Sequence, residues 1–381
     1  MNGPGSDANS IRQPALTALS AKLLLRTKVA PRLIVLISIR AIFVFKEDKM
    51  KRILSGIKPT GVLTLGNYIG AIKRFVELQQ SMPEDEFFLF IADLHAITVP
   101  QDSSELRKRT RDIAAMYLAA GLDPKRTVLF IQSEVKEHAE LGYLLQCYTH
   151  IGELERMTQY KDKVKKGESN LTSALFTYPA LMAADILLYD ADYVPVGEDQ
   201  KQHVELTRDI ATRFNNRHRE FFRVPDPIIP TIGARIMDLQ DPLKKMSKSE
   251  TSDKGYITLF DEPNIVKKKI KSAITDSLGI VKYDADNQPG VANLLSIYSV
   301  LSHREIEDIV NQYSNSGYAE FKEDLANIVA NELGELQLRY HEIIASGTLD
   351  SILDSGREIA SKVAYRKLEK CKQIIGLGRK R

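Results

Sequence analysis

From Met50 onward the chain alternates between short apolar runs and stretches of helical period, and this alternation restricts the fold more than any other feature. Residues 52–57 read as a strand, and 66–80 as a helix with Ile69, Ile72, Phe75 and Val76 on one face. Strand 87–92, helix 104–120 (capped by Ser103 or Ser104) and strand 128–132 follow. The span 137–167 reads as helical, 178–189 as an apolar helix, 193–196 as a short strand and 199–215 as another helix. Strands recurring between helices predict an α/β fold with a parallel, doubly wound (Rossmann-type) sheet. In such folds ligands sit at the carboxyl ends of the strands.

After Gly255 the character changes, and 264–275, 291–302, 305–313, 318–346 and 349–376 read as amphipathic helices. The expected division is therefore a sheet domain over 50–255, with a largely helical insertion at about 100–172, and an all-α domain over 256–381. Residues 1–49 look foreign to both. They open Gly/Ser/Asn/Pro-rich and continue with an apolar stretch, 33–45, broken by Arg40. A disordered, nonfunctional extension before a start at Met50 is the favoured reading, with an organelle transit segment or an added leader as alternatives.

The net charge is +3, but eight cations and three acids fall within residues 1–49, so residues 50–381 carry −2. The body is not a general nucleic-acid binder, and any RNA contact must use local patches. Two cysteines, Cys147 and Cys371, give neither a disulfide framework nor metal-ligand spacing, which fits a reducing, cytoplasmic setting. No apolar run is long enough to span a bilayer.

Three short segments carry chemistry. Lys245-Met246-Ser247-Lys248-Ser249 places two lysines three apart among small and flexible residues, a mobile cationic clamp for a polyphosphate or, alternatively, a plain solvated loop. Pro59-Thr60-Gly61-Val62-Leu63-Thr64-Leu65-Gly66-Asn67 leads from a strand into a helix, where unpaired N–H groups and the helix dipole attract anions. There Gly66 admits close approach, and Thr64 and Asn67 offer donors; an ordinary turn before a helix is the alternative. Gly197-Glu198-Asp199-Gln200 ends a short strand with two carboxylates suited to ribose hydroxyls, although Asp199 also suits a helix cap.

In their order along the chain the three segments resemble the class I aminoacyl-tRNA synthetases. Thr64-Leu65-Gly66-Asn67 stands at the family's HIGH signature and Lys245 to Ser249 at its KMSKS signature. Longer stretches look like the bacterial-type tryptophanyl-tRNA synthetases. They are Ser55-Gly56-Ile57-Lys58-Pro59-Thr60-Gly61, Gly152-Glu153-Leu154-Glu155-Arg156-Met157-Thr158-Gln159, Met182-Ala183-Ala184-Asp185-Ile186-Leu187 and Gly197-Glu198-Asp199-Gln200-Lys201-Gln202-His203. The resemblance implies ATP-dependent activation of L-tryptophan to the adenylate and its transfer to tRNA(Trp), by a homodimer, with Mg²⁺ carried on the ATP and no metal held by the protein.

By that resemblance Lys245, Lys248, Thr64 and Asn67 act on the phosphates. Lys58, Pro59, Thr60, Gly66, Lys161, Gly197, Glu198, Asp199, Met246, Ser247 and Ser249 complete the ATP site, and the Ile236 backbone meets adenine. Asp185 would accept the indole N–H, with Met182, Tyr178, His95, Val194, Val196 and Gln200 around it. A buried carboxylate rejects a ligand that brings no donor. Two positions depart from the family: Lys58 stands where Gln is common, and Leu54 where Phe is common. The helical domain would bind the anticodon through Lys267, Lys268, Lys269 and Lys271. A tyrosyl-tRNA synthetase, a noncatalytic sensor paralogue and a small-molecule nucleotidyltransferase are the competing readings.

Overall fold

A computed structural model describes residues 50–165, 167, 171–229, 235–248 and 252–379. The expectations for residues 1–49 and for Ser249 fall outside the described residues. From Met50 onward the described residues form one compact unit.

Its centre is a five-stranded parallel sheet of β1 (Arg52–Ile57), β2 (Glu86–Ile91), β3 (Thr127–Ile131), β4 (Tyr193–Pro195) and β5 (Asp226–Ile228). The spatial order is β3-β2-β1-β4-β5, so the chain reverses direction across the sheet between β1 and β4. Side chains on successive strand residues point to opposite faces, and both faces are covered. Ile53, Phe87, Leu89, Ile91 and Leu129 enter one apolar cluster; Leu54, Phe88, Phe90 and Phe130 enter the other. β5 escapes sequence reading because Pro225 precedes it and Pro227 interrupts it, and proline is tolerated here because β5 is an edge strand.

The helices of this half are α1 (Leu65–Asn67), α2 (Lys73–Ser81), α3 (Asp93–Ala96), α4 (Ser103–Ala119), α5 (Glu137–Gln146), α6 (Ile151–Glu155), α7 (Thr158–Lys165), α8 (Ser173–Leu187) and α9 (Lys201–Arg217). A π-helical stretch, Tyr68–Ile72, joins α1 to α2. The cap of α4 is Asp102, whose carboxylate accepts from the N–H groups of Ser104 and Glu105, and not either serine. The expected continuous helix over 137–167 is three shorter ones, separated at 147–150 and 156–157.

Five helices complete the chain: α10 (Pro263–Lys271), α11 (Pro289–Ser302), α12 (Ile306–Gln312), α13 (Tyr318–Ser346) and α14 (Thr348–Ile375). They share their cores with the sheet. Val266, Leu295 and Leu333 belong to the cluster of one face, and Ala360, Ala364 and Leu368 of α14 to the other. α14 runs along the outer edge of β3, where Gly356 lies on the Leu129 backbone and a Cβ would overlap the Leu129 carbonyl. Glycine is what lets a helix cover that edge so closely.

Candidate active site

The segment after β1 turns into α1 through a reciprocal cap. Thr64 Oγ1 accepts from the Asn67 N–H (3.3 Å), while Asn67 Oδ1 accepts from the Thr64 N–H (2.9 Å) and from its hydroxyl (3.0 Å). The Thr64 hydroxyl proton is thereby used within the cap, and Thr64 is 3% exposed. Asn67 is exposed, and its Nδ2 makes no hydrogen bond among the described residues. Of the two expected donors, Thr64 shapes the turn and Asn67 keeps free N–H groups. Pro59 is buried and Thr60 exposed in the preceding loop; neither lines the cavity described below, whereas Lys58 does.

The lysine segment is brought against this turn. Leu65 N–H donates to the Ile257 carbonyl (2.8 Å) and Leu259 N–H to the Leu63 carbonyl (2.9 Å), tying the turn to the chain that follows the lysines. Met237 and Lys245 form an antiparallel bridge, and Met246 N–H donates to the Ile236 carbonyl (3.0 Å). Met246 and Ile236 are 4% and 1% exposed, so the clamp is anchored in the core by its methionine. A Cβ on Gly66 would lie 3.5 Å from the Met246 Cβ and 3.7 Å from the Ile236 Cβ, which puts the glycine beside the clamp. Lys245 and Lys248 are exposed, and neither forms an ion pair among the described residues. Ser247 is half-buried.

At the carboxyl ends of β1 and β4 lies a cavity of about 270 Å³. This is the reversal point of the sheet, where open α/β folds bind ligands. Leu54, Ser55, Gly56 and Lys58 come from β1 and the loop after it, and Val194, Pro195, Val196 and Gln200 from β4 and the turn beyond. Phe90, Ala92 and His95 line it from the side of β2 and α3, Gln159 from α7, and Tyr178, Met182, Asp185 and Ile186 from α8. Every residue expected around the side chain of the amino acid therefore meets here. Lys161, on the exposed face of α7, does not line the cavity. Gly197 begins the turn Glu198–Gln200, and a Cβ on it would sit 2.7 Å from Asp199 Oδ1. Glu198 and Asp199 are exposed, and Asp199 Oδ2 accepts from Gln200 Nε2 (2.8 Å).

The cavity contains one fully buried carboxylate. Asp185 Oδ2 accepts from His95 Nε2 (2.7 Å), and Oδ1 from Gln132 Nε2 (2.7 Å) and His138 Nδ1 (2.6 Å). Burial pushes the Asp185 carboxyl up, but His95 and His138 outweigh it and hold the group at about 2, so it is ionised. Near the mouth, the Tyr178 hydroxyl bonds Gln159 Oε1 (3.0 Å) and His203 Nε2 (2.5 Å). Burial raises the Tyr178 phenol and holds His203 down to about 4, so both are neutral. Loss of hydration and the nearby positive charge of Lys163 lower the Lys58 ammonium.

Gln132, His138, Tyr189, Gln159 and His203 belong to these networks and were not assigned to the site from the sequence. Gln159 and His203 stand within the longer stretches named above, whereas Gln132 is marked only by following the apolar β3, and His138 and Tyr189 carry no signal of their own. The lysine patch expected to face RNA is partly withdrawn. Lys269 is 6% exposed, pairs with Asp261 (2.8 Å) and lies over the Tyr256 ring, because the apolar face of α10 turns it inward. Lys271 pairs with Glu323 (2.5 Å), which leaves Lys267 and Lys268.

A capped helix start packed beside a segment with two exposed lysines, next to a cavity at the sheet's reversal point, defines a class of protein: one that holds a polyphosphate ester beside a small captured molecule. The model of the family described as tRNA synthetases class I (W and Y) matches residues 46–334, and the chain belongs to that family. It is 58% identical over 329 residues to the Tryptophan–tRNA ligase of Bacillus subtilis (strain 168), covering 86% of this chain and 98% of the relative. The crystal structure of tryptophanyl-tRNA synthetase from Mycoplasma pneumoniae superposes with a TM-score of 0.79 at 39% identity, covering 87% and 99% of the two chains. That of the Campylobacter jejuni enzyme complexed with ADP and tryptophan gives 0.71 at 38%, covering 86% and 100%.

Proposed function

We propose that this chain is a tryptophan–tRNA ligase, which joins L-tryptophan to ATP as tryptophanyl-adenylate and passes the tryptophyl group to tRNA(Trp). The observation that carries the reading is Asp185, an ionised acceptor fully buried in an apolar cavity. Four acceptor positions are available on a carboxylate and three are filled, so one remains for a ligand N–H. The relatives named for tryptophan at 53–58% identity support the same choice.

The first step needs no protein base, because the attacking tryptophan carboxylate is already an anion. Its oxygen attacks the α-phosphorus of ATP, the bond to the bridging oxygen breaks, and pyrophosphate leaves. Catalysis is then orientation and charge stabilisation. Lys245 and Lys248 meet the β- and γ-phosphates, and Asn67 Nδ2 with the Gly66 N–H meets them from the other side, since the Leu65 and Asn67 N–H groups are already engaged. Mg²⁺ arrives on the phosphates of the substrate. Gln200, Tyr178 and Lys58 hold the ammonium and carboxylate of tryptophan at the cavity mouth. Glu198 and Asp199 suit the ribose hydroxyls. The Ile236 backbone, whose carbonyl accepts one hydrogen bond from Met246 and keeps a second lone pair, suits adenine. In the second step a terminal hydroxyl of the tRNA attacks the adenylate carbonyl and AMP leaves.

No helix among the described residues is long and apolar enough to cross a membrane. A cytoplasmic homodimer, with the helices beyond residue 256 facing the anticodon through Lys267 and Lys268, completes the reading. The test is charging of tRNA(Trp) and tRNA(Tyr) transcripts with labelled tryptophan and tyrosine. Tryptophan on tRNA(Trp) alone is expected; tyrosine on tRNA(Tyr) would replace this reading with the tyrosyl one.

A further inference from the structure

The donors around Asp185 are themselves held from behind. Gln132 Oε1 accepts from the Leu94 N–H (3.2 Å), which turns its Nε2 toward the carboxylate. The His138 ring is fully buried and boxed by Phe90, Phe130 and Tyr189, with ring centroids 5.8, 5.9 and 5.5 Å away. Its Nδ1 faces Asp185 Oδ1 at 2.6 Å, and its Nε2 faces the Tyr189 hydroxyl at 2.8 Å.

The tautomer follows from counting protons. Tyr189 is fully buried, burial keeps it a phenol, and among the described residues its hydroxyl has no hydrogen-bond partner except His138. Its proton has one acceptor, His138 Nε2. A proton on Nε2 would leave the phenol's own buried donor unsatisfied, a costly arrangement. The imidazole therefore carries its proton on Nδ1 and gives it to Asp185. His95 lines the cavity while Gln132 and His138 do not, so Oδ2 is the oxygen on the cavity side.

We propose that His138, locked as the Nδ1–H tautomer by Tyr189, is a positioning residue for amino-acid selectivity. Together with Gln132 it occupies Oδ1, and this leaves a single acceptor position on Oδ2, beside His95, for the ligand's N–H. The proposal rests on the tryptophan reading above. Without the Nδ1–H donor, the carboxylate either turns toward the cavity to find a new partner or takes up a proton, and both outcomes weaken the discrimination between a donor and a non-donor ring.

The test uses the full chain and two ligands, tryptophan and 3-(benzothiophen-3-yl)alanine, in which sulfur replaces the indole N–H. ATP–pyrophosphate exchange is followed for wild type, His138→Asn, His138→Gln and Tyr189→Phe. An asparagine amide reaches the Nδ1 position and a glutamine amide the Nε2 position. His138→Asn should keep the preference for tryptophan within about threefold. His138→Gln should lose about tenfold or more of it through the KM for tryptophan, with the KM for ATP unchanged, as expected for one hydrogen bond to a charged group. Tyr189→Phe should fall between the two. In the wild type, ¹⁵N resonances of His138 should show a protonated Nδ1 and a bare Nε2, a readout that needs no variant to fold. Equal preference in His138→Gln and wild type, or a proton on Nε2, overturns the proposal. A wild type that does not activate tryptophan at all overturns the tryptophan reading instead, and the resonances still report on the tautomer.

Discussion

Replacing Asp185 with asparagine keeps the shape of the carboxylate and removes its charge. An amide presents one acceptor oxygen and an NH₂ group, so at least one of the donors from His95, Gln132 and His138 then faces hydrogens. A hydrogen bond from the ligand N–H to the ionised group contributes about 1.5–3 kcal/mol, equivalent to a loss of about tenfold to 150-fold in tryptophan affinity. ATP sits outside this cavity in the present account, so its affinity should move by less than about twofold. The assay is direct, because the chain contains no tryptophan and indole fluorescence reports on the ligand alone. Tryptophan affinity within about threefold of wild type, or an equal loss for ATP, would mean that Asp185 does not accept the ligand N–H.

The same carboxylate gives a pH signature. Its folded value of about 2 lies below the ordinary carboxylate value of about 3.9, so its stabilising contribution is fully present above about pH 4 and is lost as the pH falls toward 2. The contribution is about 2–3 kcal/mol, and denaturant titrations between pH 5 and 2 should show a correspondingly shallower acid loss for Asp185→Asn than for wild type. Lys245→Ala and Lys248→Ala should each lower kcat for pyrophosphate exchange by about a hundredfold while leaving tryptophan binding intact, as measured by exchange and ligand fluorescence. Gly356→Ala should cost about 1–3 kcal/mol by forcing α14 off the Leu129 carbonyl, seen as a drop in Tm with unchanged KM values. Lys269→Ala should lower Tm without changing the KM for tRNA, whereas Lys267→Ala and Lys268→Ala should raise that KM and spare Tm.

Much of this was legible in the sequence, and the parts that were not share a physical cause. The β/α alternation announces β1 to β4, because their apolar runs are continuous and bounded. β5 was hidden by its prolines, and the breaks within 137–167 by polar residues that are compatible with a helix or a turn. At the site, the lysine clamp, Asp185, Met182 and Gln200 lie in contiguous motifs. The support of Asp185 does not: Gln132 follows β3, His138 lies on α5 and Tyr189 follows α8, and only the folded sheet brings them together. Lys269 shows the converse error. A run of lysines reads as one charged face, but helical rotation turns one of them onto Tyr256 and Asp261.

If the clamp and the cavity act on one amino acid, ATP–pyrophosphate exchange on the intact chain, run with each amino acid in turn, will show which one. Exchange should depend on tryptophan, with tyrosine and phenylalanine at background. Exchange driven by tyrosine, or none with tryptophan, would contradict the tryptophan reading.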